Sequence, residues 1–401
     1  MSLIVQKFGG TSVANTERLK NVARIVTDTK KKGNQVVVVV SAQGDTTDDF
    51  ENKARELNPN PSKRELDVLL SSGEQISMAL LAMAIEKLGF PVISLTGWQA
   101  GFKTKSDHCN ARIKKIDTSR LEHELNSNKI VIVAGFQGID KYDDITTLGR
   151  GGSDTSAVAI AAALNADLCQ IYTDVDGVYT ADPRLVKNAI KLESISFDEM
   201  LELATLGAQV LHNRSVEMAK KYNVNLEVLS SLTNTSGTKV KEKVTMEKLL
   251  IRGVTKDDDT SRIALLNVPD KPGFAYQIFA LMSKYNINVD IIVQSIGRSD
   301  MKDISFTVPM KDMELAKKIL TERKDAIGIG DVKVTDSISK VSIVGAGMQT
   351  NPGVAAKMFE ALYSAGININ MISTSEIKIS VLVDKKDSGR AVNVIHEAFF
   401  E

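Results

Sequence analysis

The segment Lys7-Phe8-Gly9-Gly10-Thr11-Ser12 sets a lysine beside two consecutive glycines. Glycine leaves backbone N–H groups open to an anion, and the lysine ammonium adds a mobile positive charge. A second segment, Leu148-Gly149-Arg150-Gly151-Gly152-Ser153-Asp154, surrounds an arginine with three glycines and runs into an alanine-rich helix expected over Thr155 to Ala166. Ser153 or Asp154 is expected to cap that helix, so that its dipole and the loop amides form an anion seat. Arg150 can grip a carboxylate through two parallel hydrogen bonds. A third segment, Thr173 to Arg184 (TDVDGVYTADPR), gathers three aspartates, a tyrosine and an arginine. It lacks the ligand order and terminal Glu of a calcium loop and suits a nucleotide, with Tyr179 beside a base and Arg184 near phosphates. Ser72-Gly73-Glu74 interrupts the apolar face of a helix expected from Arg64 to Leu88, where Glu74 is either solvated or functional.

Several chemistries are excluded. The spacing GxxxxGK[ST] of a Walker A loop is absent, so any phosphate is held by a different geometry. Val344-Gly345-Ala346-Gly347 lacks the third glycine of a dinucleotide fingerprint, and too little chain follows it for a βαβαβ half. The four histidines (108, 123, 212 and 396) and Trp98 read as structural or surface residues, and no Ser/His/Asp, Cys/His or zinc arrangement occurs, so no metal site is expected. Cys109 and Cys169 are isolated, and Met1 to Phe8 does not resemble a signal peptide, which points to a reducing, cytoplasmic compartment. Fifty Lys+Arg against 50 Asp+Glu, interspersed over 401 residues, argue against a nucleic-acid partner. Apolar runs such as Val36 to Val40 and Ala157 to Leu164 fall short of the roughly 20 residues a bilayer span requires, so no membrane partner is expected.

The elements that must position these residues are legible in the alternation of short β-rich runs with helical patterns up to about residue 230. Ile4 to Phe8, Val36 to Val40, Val92 to Leu95, Ile130 to Ala134 and Leu168 to Thr173 are nearly all apolar, as strands buried on both faces of a parallel sheet are. Gly9-Gly10, Ser41 to Asp45, Gly135 to Gly138 and Asp174 to Gly177 each follow a strand. Loops beyond the carboxyl ends of such strands form one composite site.

Ser230 to Lys243 is polar and turn-rich, and an internal repeat lies beyond it. At an offset of 80 residues, Pro272, Gly273, Ala275, Phe279, Ile287, Asn288, Ile292 and Ser295 match Pro352, Gly353, Ala355, Phe359, Ile367, Asn368, Ile372 and Ser375. Each copy reads strand, Pro-Gly turn, helix, turn, strand, so the tail holds two α+β modules of about 70 residues each.

Taken together, KFGGTS at 7 to 12, SGE at 72 to 74, AGFQG at 134 to 138, GRGGSD at 149 to 154 and TDVDGVYTADPR at 173 to 184 resemble the aspartate kinases of the amino acid kinase family, which carry two C-terminal ACT modules. The resemblance implies an α/β fold: a three-layer αβα sandwich with a mainly parallel sheet, plus two ferredoxin-like modules. It implies a catalytic domain over 1–245, a first ACT module over 263–337, and a second built from 246–262 and 338–401, with Lys248 to Arg262 lending the second a strand. It implies phosphorylation of L-aspartate by ATP, with Mg²⁺ arriving on the nucleotide, as the entry to lysine, threonine and methionine synthesis.

By the same resemblance Lys7 neutralises the transferring phosphoryl group, with Phe8, Gly9 and Gly10 beside it, and Asp154 orients Lys7. Arg150 binds the aspartate α-carboxylate, Glu74 faces the amino group, and Ser41, Thr47, Gly151, Gly152 and Ser153 complete the substrate pocket. Thr173, Asp174, Tyr179, Thr180, Ala181, Asp182, Pro183 and Arg184 are the implied nucleotide contacts, with Val210 and with Gln209, which stands where many relatives have Lys. Asp270, Gly273, Phe274, Ala275, Asn288, Val289, Asp290 and Gln294 form one implied effector pocket, and Val354, Ala355, Asn368, Ile369, Ser373 and Ser375 form or complete a second. Asp270 and Asp290 suit an ammonium group, which favours lysine as inhibitor, with threonine as a possible co-effector. Open module edges imply a homodimer or homotetramer. The competing readings are a catalytically silent amino-acid sensor and another kinase of the same family.

Overall fold

The computed structural model describes residues 1–207, 210–233, 235–242, 250–297, 300–349 and 351–401. The chain forms two compact units, Met1–Tyr179 with Lys191–Thr245, and Thr180–Ile190 with Met246–Glu401. It therefore leaves the first unit after Tyr179 and rejoins it at Lys191, an excursion that no composition change in the sequence marks.

In the first unit one sheet runs in the spatial order Ser194–Ser196, Thr238–Lys241, Leu226–Ser230, Leu168–Thr173, Leu3–Phe8, Gln35–Val40, Ile130–Ala134, Val92–Leu95. Its neighbours pair in parallel, except that Leu226–Ser230 and Thr238–Lys241 are antiparallel. Val36, Val38 and Val40 pack against Leu19, Val22, Ala23 and Val26 of the helix Thr16–Lys31 and against Leu81 and Ile85 of the helix Lys63–Glu86. Val37 and Val39 point the opposite way because side chains alternate along a strand. There the helix Gly152–Ala163 lies on the sheet, buried from Gly152 to Ala161. Full burial of each valine stabilises the fold by about 1.5–3 kcal/mol. The five expected strands all form, with ends shifted by at most a residue.

The helix expected over Thr155 to Ala166 spans Gly152–Ala163, and neither Ser153 nor Asp154 caps it. Gly151 is the cap, at φ 68° and with no side-chain bond. The left-handed conformation there favours glycine, and a Cβ would lie 2.2 Å from the His212 ring. Ser153 and Asp154 consequently sit inside the first turn, buried. The helix Lys63–Glu86, 24 residues long, is apolar enough to cross a membrane by length and composition alone, a test that a core helix also passes. It carries Asp67 and Glu74 among its buried residues and packs on the sheet as a core helix. A smaller sheet in the order Ile113–Ile116, Phe102–Thr104, Gln137–Ile139, Ile145–Thr147 leads into the turn that holds Arg150.

The second unit holds two antiparallel sheets. One runs Ile292–Gln294, Met301–Val308, Ser261–Pro269, Asp331–Thr335, with the helices Phe274–Lys284 and Met313–Glu322 packed on it. The other runs Gly253–Asp257, Ile338–Val344, Lys378–Asp384, Met371–Thr374, with the helices Val354–Ser364 and Ser388–Phe400. Gly253–Asp257 occupies the edge that Asp331–Thr335 occupies in the first sheet, so a strand preceding one module completes the other. Gly273 and Gly353 begin equivalent helices in the same left-handed conformation, at φ 87° and 97°. The sequence repeat is thus a structural repeat.

Candidate active site

A cavity of about 410 Å³ opens in the first unit beyond the carboxyl ends of Leu3–Phe8, Gln35–Val40 and Ile130–Ala134, lined by residues that include Lys7, Ser41, Thr47, Glu74, Arg150 and Asp154. Gly10, Gly151, Gly152 and Ser153 line it as well. The tertiary fold therefore joins four of the motifs, KFGGTS, SGE, AGFQG through Phe136, and GRGGSD, with the loop after Val40.

Lys7 is at the end of a central strand and Asp154 in the first turn of the helix laid across that strand. Their charges meet at 2.5 Å from Nζ to Oδ1, with both side chains 12% exposed. Asp154 Oδ1 has no aligned hydrogen-bond donor, so the pairing is one of charge. Gly10 has room for no side chain, since a Cβ would come 2.9 Å from the Ala42 carbonyl oxygen. The Gly9 N–H is taken by the Tyr172 carbonyl at 3.2 Å, which removes it as an anion donor. The Phe8 ring is fully buried and stacks on Tyr172 at 4.6 Å, so its side chain belongs to the core.

Glu74 is buried, not solvated. Its Oε1 accepts the Ala42 N–H at 3.0 Å, while its buried Oε2 has no partner. Desolvation pushes the carboxyl up to about 8, against the opposing backbone hydrogen bonds. Gly73 explains how the helix comes so close to the loop after Val40: a Cβ there would lie 2.8 Å from the Ala42 Cβ.

The third motif is divided. Thr173 donates its hydroxyl to Asp174 Oδ1, and Asp174 is exposed. Tyr179 donates to Asp176 Oδ1 at 2.7 Å, a bond that pushes the phenol up to about 12. Burial disfavours the Asp176 charge, but bonds from Tyr179, Lys191 and Thr235 outweigh it and hold that carboxyl below its ordinary value. Thr180 and Ala181 belong to the second unit and are buried, Thr180 bonding His396 Nε2 at 2.8 Å and accepting the Ile190 N–H. Neither side chain is open to a nucleotide. Asp182, Pro183 and Arg184 are also in the second unit, where Arg184 hydrogen-bonds Asp182. Val210 is half-buried in a turn, and Gln209 lies outside the described residues.

Sequence reasoning missed four residues of this region. His212 caps the helix Asn213–Tyr222 and lies against Gly151. Burial lowers its pKa against the pull of Asp154. Arg214 donates to the Leu148 and Ala111 carbonyls, and Asp67 and Thr147 share a hydrogen bond. Each stands alone in sequence, so no motif announces it. Among the described residues no group of three or more His, Cys, Asp or Glu could hold a metal ion.

In the second unit, Asp270 and Asp290 are each paired within the chain, to Lys302 at 2.7 Å and Lys340 at 2.5 Å. Phe274 and Val354 are buried in the two module cores. Asn288 and Val289 line a hollow of about 450 Å³ beside Phe279 and Met282. Gly273, Ala275, Gln294, Asn368 and Ser375 are exposed, while Ala355, Ile369 and Ser373 are half-buried.

The amino acid kinase family model matches residues 2–230, and an ACT domain model matches 266–323 and 341–399. An aspartokinase of Bacillus sp. (strain MGA3) is 52% identical over 400 residues, spanning 100% of this chain and 97% of its own. Aspartokinase 2 of Bacillus subtilis is likewise 52% identical, with 100% and 98% covered. The crystal structure of E. coli aspartokinase III in complex with aspartate and ADP is similar over 100% of both chains, at a TM-score of 0.85 and 26% identity. The same enzyme in complex with lysine and aspartate gives 0.76 over 100% of both chains at 26% identity.

Proposed function

Because this chain belongs to the amino acid kinase family, among its aspartokinases, we propose that it transfers the γ-phosphoryl group of ATP to the side-chain carboxylate of L-aspartate. The products are 4-phospho-L-aspartate and ADP. The observation that carries this reading is the charge layout of one cavity: Arg150 for a carboxylate, the buried and unpartnered Glu74 Oε2 for an ammonium, and the Lys7–Asp154 pair for a phosphoryl group.

The nucleophile is a carboxylate already ionised at neutral pH, so the reaction needs no general base. Its oxygen forms the new bond to the γ-phosphorus as the bond to the β–γ bridging oxygen breaks, and that electron pair leaves on ADP. Lys7 offsets the charge spreading over the transferring oxygens, Gly10 supplies a backbone amide, and Asp154 holds the ammonium in place. Arg150 and Glu74 fix the two ends of the amino acid, with Ser41, Thr47, Gly151, Gly152 and Ser153 around it, so that the side chain points at the phosphoryl group. Thr173, Asp174 and Tyr179 are the proposed nucleotide contacts of the first unit. Mg²⁺ arriving with the nucleotide would supply further charge neutralisation, beside Lys7. A hydroxylamine trap tests the reading: aspartyl hydroxamate should accumulate with ATP and aspartate and not with glutamate. Its absence in an effector-free preparation defeats the assignment.

The repeated modules support end-product control, with lysine as the proposed inhibitor of a pathway to lysine, threonine and methionine. E. coli aspartokinase III has been crystallised with lysine bound. A lysine effector would compete with Lys340 for Asp290. Asp290→Ala is expected to raise the lysine concentration for half-inhibition about tenfold or more while leaving uninhibited turnover within twofold. An unchanged inhibition curve places the effector elsewhere. The exposed edge strand Ile292–Gln294 offers main-chain groups for pairing between copies, which supports a homodimer or homotetramer.

A further inference from the structure

Asp67 is wholly buried, two turns before Glu74 on the same helix, yet it does not line the cavity. Both of its oxygens are occupied. Oδ1 accepts the Thr147 hydroxyl at 2.5 Å, Oδ2 lies 2.8 Å from His108 Nδ1, and the Cys109 N–H is 3.1 Å from each oxygen. Among the described residues no lysine or arginine pairs with it, so the desolvated carboxyl group is held by directional hydrogen bonds. Such bonds are short and geometrically strict.

Two of its three partners belong to the cavity wall. Cys109 and Thr147 line the cavity, and Thr147 ends the strand that leads through Leu148 and Gly149 to Arg150. The two segments are bound to each other as well, the Ala111 N–H donating to the Thr147 carbonyl at 2.9 Å. Gly149 is in the left-handed region, and a Cβ on it would lie 3.0 Å from the Cys109 carbonyl oxygen. Arg214 clasps the far side through the Leu148 and Ala111 carbonyls at 2.7 and 2.8 Å. Arg150 itself is exposed at the cavity mouth, so its direction is inherited from this turn.

We infer that Asp67 is a positioning residue for substrate selection: through Thr147 and Cys109 it holds the turn that aims Arg150 at the α-carboxylate of the amino-acid substrate. The inference rests on the proposed role of Arg150. A purely structural carboxylate would lower apparent kcat through the amount of folded enzyme and leave both KM values unchanged, whereas a positioning one acts on the amino-acid KM.

The test is steady-state kinetics on the full chain with Asp67→Ala, Asp67→Asn, Thr147→Val and Arg150→Ala, each checked by circular dichroism. Asp67→Ala and Thr147→Val should raise KM for aspartate about tenfold, with KM for ATP and kcat within threefold of wild type. Asp67→Asn keeps an oxygen for Thr147 and Cys109 and should return KM to within about threefold. If Thr147→Val and every folded Asp67 variant keep the wild-type KM for aspartate while Arg150→Ala raises it, the inference falls and the site assignment stands. If Arg150→Ala also leaves KM unchanged, the site assignment itself falls and takes the inference with it. Should Asp67→Ala fail to fold, Thr147→Val and Asp67→Asn decide by the same criteria, and a fall in apparent kcat with both KM values unchanged overturns the proposal.

Discussion

Lys7→Ala is expected to lower kcat by about two to three orders of magnitude, the usual cost of removing one preorganised charge from a phosphoryl or oxyanion site. Lys7 and Arg150 are the cations among the described residues lining the cavity, and Arg150 is assigned to the substrate carboxylate, so no neighbour can substitute. The variant also leaves the Asp154 carboxylate, 12% exposed, without its counter-charge. Breaking such a pair from one side costs about 3 kcal/mol. A double variant, Lys7→Met with Asp154→Asn, should therefore recover much of the lost thermal stability and none of the turnover. Near-normal turnover in Lys7→Ala would refute its role, and stability that fails to recover in the double variant would refute the account of the pair.

The second large effect is a pH dependence of substrate binding that Glu74→Gln abolishes. Burial raises the Glu74 carboxyl from its ordinary 4.5 to about 8, so the ligand-free site carries a neutral acid at pH 7. A bound ammonium favours the carboxylate, and binding below pH 8 must expel a proton. The apparent Kd for aspartate should rise about tenfold per pH unit below 8 and level off above it. Calorimetry in buffers of different ionisation enthalpy reads the proton directly, and no proton release at pH 7 would sink the assignment. Stability has a defined sign too. The unfolded chain loses the Glu74 proton near 4.5 and the folded chain keeps it to about 8, so this group's contribution falls as pH rises through that window. Glu74→Gln removes the fall, and the variant should gain stability relative to wild type above pH 8 while binding aspartate poorly.

These two residues were legible in the sequence for different reasons. Lys7 is spelled by proximity in the chain, since a lysine separated by one residue from two glycines describes an anion seat without knowledge of anything distant. Glu74 was only a break in an apolar helix face, and its burial depends on Gly73 letting Ala42 come close. Asp67, Thr147, His212 and Arg214 carry no local signature, because each acts through partners 40 or more residues away in the chain. The helix cap was misassigned to Ser153 or Asp154 because cap preference favours those side chains. The turn at Gly151 required a positive φ that only the packing of His212 reveals.

Local regularities were enough to establish what is periodic or adjacent. Apolar strands four to six residues long, the loops after them, and a tail repeated at an offset of 80 are written in neighbouring residues, because backbone geometry and burial repeat over short distances. Tertiary structure alone decided which charges meet. It paired Lys7 with Asp154 across 147 positions, buried Glu74 beside Ala42, closed Asp270 and Asp290 with lysines, and took Thr180–Ile190 out of the first unit. Electrostatic pairing and desolvation depend on distance in space, and only the fold sets that distance.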